Sequence, residues 1–385
     1  LVRCAKRADP AALGIGGPIH VTNVDWLLIT TAVAAVLVLA AGAFVLYVLL
    51  RYGRDIYRIF ETKPLFLAPQ VAPEPDGRAI EFYTKCGRKL VGTYLGHRAG
   101  QRKGVILFLH EFGANRWLCV PYVGYLRADG FDVFTFDFCN HGESDPIVGY
   151  EPLQWVTEHE VSDIEAALAY LQSRPDAPAA GIGVLGVSKG GSAAVAAAGR
   201  NRFIRAVVTD SAFPTHGTVT EYEMRWCGIY VHRKLIYENL PRAFWKALTW
   251  CVVRRMRWHR RAKYVSVERG LKRMSRQPLF MIHGARDNYI NREIVQRFFA
   301  LAREPKSLWV IEGAKHNGCL DKAGAEYRRR VGEFFTAHLA DRADGPMQAE
   351  RRAVDAAFVA SASPGNGDRM SERQANEAPA CGRSR

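Results

Sequence analysis

A serine sits between two glycines in Gly186-Val187-Ser188-Lys189-Gly190, after the apolar pair Val184-Leu185 and before a string of small residues that begins at Gly191. A neutral hydroxyl is a poor nucleophile. To attack a carbonyl it needs an imidazole to take its proton and a carboxylate to fix that imidazole. Both types follow in the chain. Asp287 comes just past the apolar run 278–284, and His316 lies in the segment Glu312-Gly313-Ala314-Lys315-His316-Asn317 after a second run, 307–311. The order Ser, Asp, His points to acyl transfer, with Ser188 attacking, His316 moving the proton and Asp287 orienting His316.

The elements that must position these residues can be read from the same stretches. A strand entering Ser188 and a small-residue helix leaving it require a sharp turn, where bulky neighbours two positions away would clash with the strained backbone. The runs 105–109, 131–136, 205–208, 278–284 and 307–311 read as buried parallel strands. The developing oxyanion needs fixed backbone donors, and the N–H of Lys189, directly after the serine, supplies one. Plainer roles stand beside these. Ser188 suits a helix cap, Asp287 can cap a helix starting near Asn291, and Asp210, at the end of its strand, is a rival carboxylate. His110, His141 and His283 fit structural places at strand ends or in turns.

Four landmarks carry a resemblance. They are L-F-L-H-E-F-G-A-N from Leu107 to Asn115, F-D-F-C-N-H-G-E-S from Phe136 to Ser144, G-V-S-K-G from Gly186 to Gly190, and the paired H-G-A-R-D and G-A-K-H segments that hold Asp287 and His316. From about Ile80 to Leu339 the chain resembles an α/β-hydrolase, similar to the serine aminopeptidase and monoglyceride lipase-like branch. The resemblance implies an α/β fold with a mostly parallel central sheet, helices on both faces and a helical cap inserted after strand 6. It also implies that the Phe112 N–H is the second oxyanion donor and that the loop with Asp137, Asn140 and His141 braces the serine turn. Many relatives have His-Gly where this chain has His110-Glu111. The expectation for Glu111 is that it turns outward to pair with an arginine; a sharper alternative is that it repels anionic acyl groups. Glu158 and Asp163 open a helix reaching about Gln172, where acids suit the positive helix end.

Residues 26–50 contain no Asp, Glu, Lys or Arg and are rich in Leu, Val and Ala. At about 1.5 Å per residue such a run crosses a hydrocarbon core of about 30 Å. The expected organisation is a tail at 1–24, a transmembrane helix at 25–50, a juxtamembrane linker at 51–78, a hydrolase domain at 79–340 with its cap at 213–277, and a disordered tail at 341–385. Arg51, Arg54, Arg58 and Lys63 follow the helix, so the positive-inside rule puts the catalytic domain in the cytoplasm. The cysteines lack the compact spacing of a disulfide framework and read as buried small residues or free thiols.

Charge is concentrated in the cap. Residues 213–276 hold fifteen Lys and Arg against four Glu, so +11 of the formal +15 lies there, interleaved with Trp245, Trp250, Trp258 and Tyr264. This mixture favours an anionic lipid surface as partner. Nucleic acid is not expected, since no recognition motif accompanies the charge. No metal cluster, phosphate-cradling loop or complete dinucleotide fingerprint appears, and Gly181-Ile182-Gly183 lacks the third glycine, so no cofactor is expected. The expected function is a single-pass, membrane-anchored serine hydrolase cleaving esters or thioesters of a small, lipid-like acyl substrate. The alternatives are an aminopeptidase-like enzyme and, from another class, a non-catalytic hydrolase-like scaffold at the membrane. The sequence leaves oligomeric state open.

Overall fold

In the computed structural model the described residues are 23–61, 63, 71–98, 100–230 and 239–339. The expected tails at 1–24 and 341–385 lie almost wholly outside them. Two compact units divide the chain at Asp55 and Ile56. The first contains most of helix α1 (Asn23–Glu61), whose stretch Val24–Arg58 includes an 18-residue run of mean hydropathy 2.8 and is long and apolar enough to cross a membrane. The helix continues past Leu50 to Glu61, so the first part of the expected linker is helical.

The second unit is built on an eight-stranded sheet, β1 (Arg78–Tyr83), β2 (Lys89–Leu95), β3 (Gly104–Leu109), β4 (Phe131–Phe136), β5 (Ile182–Val187), β6 (Ile204–Asp210), β7 (Leu279–Gly284) and β8 (Lys306–Ile311), in the spatial order β1-β2-β4-β3-β5-β6-β7-β8. Only the β1–β2 and β2–β4 pairs are antiparallel; the rest are parallel. Parallel strands need crossover helices, which cover both faces of the sheet, so β4, β5 and β7 are buried along their whole length. The crossovers are α2 (Cys119–Ala128), α3 (Glu158–Ser173) and α4 (Lys189–Ala198), with α8 (Arg292–Phe299), α9 (Cys319–Ala323) and α10 (Ala325–Leu339) following β7 and β8.

Between β6 and β7 lies the cap, with α5 (Thr215–Tyr230), α6 (Arg242–His259) and α7 (Val267–Arg273) among its described residues. Helix α6 is amphipathic: Trp245, Leu248, Thr249, Val252, Val253 and Met256 recur at helical spacing and are buried. Helix α4 is made of small residues because other backbone lies against it. A Cβ on Gly270 of α7 would come within 2.8 Å of Ala196 Cα.

The last turn of α1 belongs to this unit. Phe60 is buried, its ring stacks on Trp155 at 4.9 Å and meets Tyr264 edge-on at 5.2 Å, and its carbonyl accepts the Trp155 indole N–H at 3.0 Å. Glu61 takes the Arg260 guanidinium at 3.0 Å. Six described cysteines, Cys86, Cys119, Cys139, Cys227, Cys251 and Cys319, are free thiols, and Cys119, Cys139 and Cys319 are buried.

Candidate active site

Ser188 ends β5 and precedes α4 with φ 52° and ψ −115°, a region that side chains rarely occupy. Its neighbours make this geometry possible. A Cβ on Gly186 would fall 2.6 Å from the Gly190 carbonyl, and one on Gly190 would fall 2.2 Å from Leu109 O. No larger residue fits either place. The Ser188 N–H is in turn held by Asp210 O at 2.7 Å, which registers the turn on the next strand.

The strand ends bring the three distant side chains together. Ser188 Oγ lies 2.9 Å from His316 Nε2, and His316 Nδ1 lies 2.6 Å from Asp287 Oδ2. A carboxylate only accepts, so Nδ1 carries the proton and Nε2 is left to accept from the serine hydroxyl. Asp287 is fixed by its other oxygen, Oδ1, which accepts the Tyr289 and Ile290 N–H groups at 2.8 Å each. The carboxylate therefore shapes its own turn as well as holding the histidine, and the helix start at Asn291 is capped by Asn291 itself. Ser188 is 3% exposed and the His316 side chain 5%, so the group is screened from bulk water.

Asp210, the rival acid, is fully buried and directs Oδ1 to Ser211 Oγ at 2.9 Å rather than to His316. Burial pushes its carboxyl up to about 6. The three other histidines are structural. His110 donates through Nδ1 to Glu111 O and accepts the Phe138 N–H, His141 donates to Cys139 O, and His283 bonds Ile290 O. Burial holds His110 down to about 4 and His141 down to about 3, so both stay neutral near pH 7. Asp137 also has a structural role. Its carboxylate accepts the Arg116 N–H at 2.6 Å and the Glu143 N–H at 2.9 Å, and it pairs with the Arg116 guanidinium.

Phe112 lies in the loop after β3, and Lys189 is the first residue of α4, so its N–H has no acceptor within the helix. The expectation for Glu111 is overturned. It is 5% exposed and accepts from the Asn317 side-chain amide, and no arginine among the described residues pairs with it. Burial pushes its carboxyl up to about 7, against the pull of nearby His316. The partner lies two hundred residues away in the loop that carries His316, so the local sequence holds no sign of it.

Three other residues have partners that were not visible in the spacing. Asn317 donates its N–H to Ser211 Oγ, tying the histidine loop to the end of β6. Glu160 and Asp163, in the first turns of α3, do more than complement the helix end. Both are fully buried, Asp163 against Arg88 and the Cys139 N–H, Glu160 against the Lys189 ammonium. The only sequence signal for Glu160 is the capping box it forms with Thr157.

This fold and site define a hydrolase class. Residues 106–330 match the model of the alpha/beta hydrolase family, and the chain belongs to that family. Among curated proteins it is 25% identical over 274 residues to the uncharacterised protein YfhR of Escherichia coli, covering 69% of this chain and 84% of that one. It is 31% identical over 133 residues to the thiohydrolase aneE of Aspergillus aculeatus, covering 34% and 40%. Among solved structures, the Pyrococcus furiosus esterase Pf2001 superposes with a TM-score of 0.53 at 22% identity, covering 72% of this chain and 98% of the esterase. These likenesses support the fold and a hydrolase.

Proposed function

We propose that this protein is a membrane-anchored serine hydrolase that cleaves ester or thioester bonds of lipid-like substrates. The observation that carries the reading is the continuous hydrogen-bonded series Ser188 Oγ, His316, Asp287 at a strained strand-to-helix turn. His316 takes the Ser188 proton as Oγ attacks the carbonyl, and the Phe112 and Lys189 N–H groups hold the oxyanion. His316 then returns the proton to the leaving group. Water, activated in the same way, releases the acyl group from Ser188.

The apolar helix in α1 supports the anchor, and the following arginines support a cytoplasmic catalytic domain. The aromatic, basic cap and the thiohydrolase relative support a lipid-like ester or thioester. The serine aminopeptidase reading needs an ionised acid to hold a free amine. Burial pushes Glu111 up to about 7 and Glu223, in the cap, up to about 8, which leaves Glu223 protonated near neutral pH and a poor partner for an ammonium group.

Labelling the detergent-solubilised full chain with a fluorophosphonate, beside a panel of p-nitrophenyl esters of increasing length, acyl thioesters and aminoacyl amides, tests this reading. The expected result is an adduct on Ser188 and turnover that favours the longer esters or thioesters. Folded protein with no adduct would be a scaffold, and preferred turnover of aminoacyl amides would make it a peptidase.

A further inference from the structure

Lysine seldom leaves water, yet the residue that follows Ser188 is a lysine 2% exposed. Its ammonium donates to Glu160 Oε1 and to Leu153 O, each at 2.7 Å. Glu160 is fully buried too. Its carboxylate also accepts the Thr157 N–H and Thr157 hydroxyl, each at 2.7 Å, and the Tyr150 hydroxyl at 3.1 Å. Burial alone would raise the Glu160 carboxyl, but Lys189 and these bonds hold it down to about 2, so Glu160 stays ionised.

Two charges taken out of water are a poor source of stability, since apolar side chains of the same volume often fill such a space at lower cost. The position of this pair gives it another role. The Lys189 ammonium lies 5.6 Å from the centroid of the Phe112 ring, in cation–π range. One side chain thus touches the Phe112 ring while its own main chain supplies the first N–H of α4. A single ammonium therefore links the two residues whose amides are assigned to the oxyanion. The ammonium is itself fixed by Glu160 on the first turn of α3, and Glu160 is locked there by its reciprocal bonds with Thr157.

We propose that the buried Lys189–Glu160 pair is the positioning device of the oxyanion hole, holding the Phe112 and Lys189 N–H groups at the spacing the tetrahedral intermediate requires. Glu160 and the Lys189 side chain touch no reacting atom and act through the backbone donors they fix. The inference rests on Ser188 being the nucleophile.

The test compares the detergent-solubilised full chain with Lys189→Met, Glu160→Gln and the double variant Lys189→Met/Glu160→Leu, the last leaving no unpaired buried charge. Each is measured for Tm, for kcat and KM on a p-nitrophenyl ester, and for inhibition by a trifluoromethyl ketone, whose adduct with serine places an oxyanion in the hole. The expected result for the double variant is a Tm near that of the parent, kcat lower by about 10- to 100-fold, KM within about 3-fold, and inhibitor affinity weakened in step with kcat. A folded double variant with parental kcat and inhibitor affinity overturns the proposal and leaves the pair a structural one. If the double variant does not fold, Glu160→Gln, which keeps shape and an acceptor, is read in the same way. Hydrolysis by the parent that survives Ser188→Ala would instead remove the reading of Ser188, on which the pair's role depends.

Discussion

The strain at Ser188 is held by its surroundings, because Gly186, Gly190 and the Asp210 carbonyl leave its backbone no other course. Any side chain at Gly190 would meet Leu109 O, so Gly190→Ala is expected to abolish soluble, active protein. Asp287→Asn keeps the shape of the turn but removes the charge that selects the His316 tautomer, so kcat is expected to fall by about 10⁴-fold with little change in KM. Steady-state kinetics on a short p-nitrophenyl ester checks it. Glu111 makes a pH-dependent prediction. With its carboxyl pushed up to about 7, it gains a negative charge beside His316 as pH rises through neutrality. That charge disfavours a neighbouring oxyanion, so kcat/KM is expected to decline above about pH 7, and the decline should be absent in Glu111→Gln. Parallel alkaline limbs in the two proteins would count against it.

At the scale of elements, the end of α1 and helix α6 act as parts of the cap. Phe60 fills a place between Trp155 and Tyr264, and Phe60→Ala is expected to cost about 3 kcal/mol by analogy with other buried aromatic truncations, which denaturant unfolding in detergent would measure. Residues 51–61 belong to the stretch 51–78 that the sequence reads as a linker. Charged residues end the apolar run there, and only the distant Trp155 and Arg260 reveal that the turn is packed. Glu223 of α5 carries a second pH prediction. Its carboxyl accepts the Thr249 hydroxyl, and burial pushes it up to about 8, above its value in an unfolded chain. A group raised on folding stabilises the protein fully below its unfolded pKa, and that contribution is lost as pH rises through the folded value. Tm is therefore expected to fall between about pH 5 and pH 8, and Glu223→Gln should flatten the slope.

For the whole molecule, the charge distribution sets the prediction. On α6, Trp250 and Trp258 are 59% and 81% exposed, and the Arg254 guanidinium lies over the Trp250 ring at 5.5 Å. Lys246, Trp250, Arg254 and Trp258 follow one another four apart, so basic and aromatic side chains share one exposed face. The same helix packs on the last turn of α1 through Arg255 and Tyr57 at 5.0 Å. Such a face suits the headgroup region of an anionic leaflet. Full-length protein in vesicles containing phosphatidylserine is expected to show blue-shifted tryptophan emission relative to neutral vesicles. The shift should weaken with salt and in the Trp250→Ser/Trp258→Ser variant. Equal emission in both lipids would remove the leaflet as partner.

Much of this was written into the chain locally. Strands β3 to β8, the turn at Ser188, the apolar helix and the cap's basic charge each depend on a few consecutive residues, because strand burial, backbone strain and hydropathy are short-range properties. Ser188, Asp287 and His316 are each marked by a short local segment, and their order along the chain named the candidate site. The tertiary structure alone decided which polar side chains are buried and with whom. Glu111 faces inward to Asn317, Glu160 meets Lys189, and Phe60 lies against Trp155, all pairs of residues far apart in sequence. Whether a charged or aromatic side chain faces water or a partner is set by what the sheet brings beside it, and one-dimensional spacing carries no record of that.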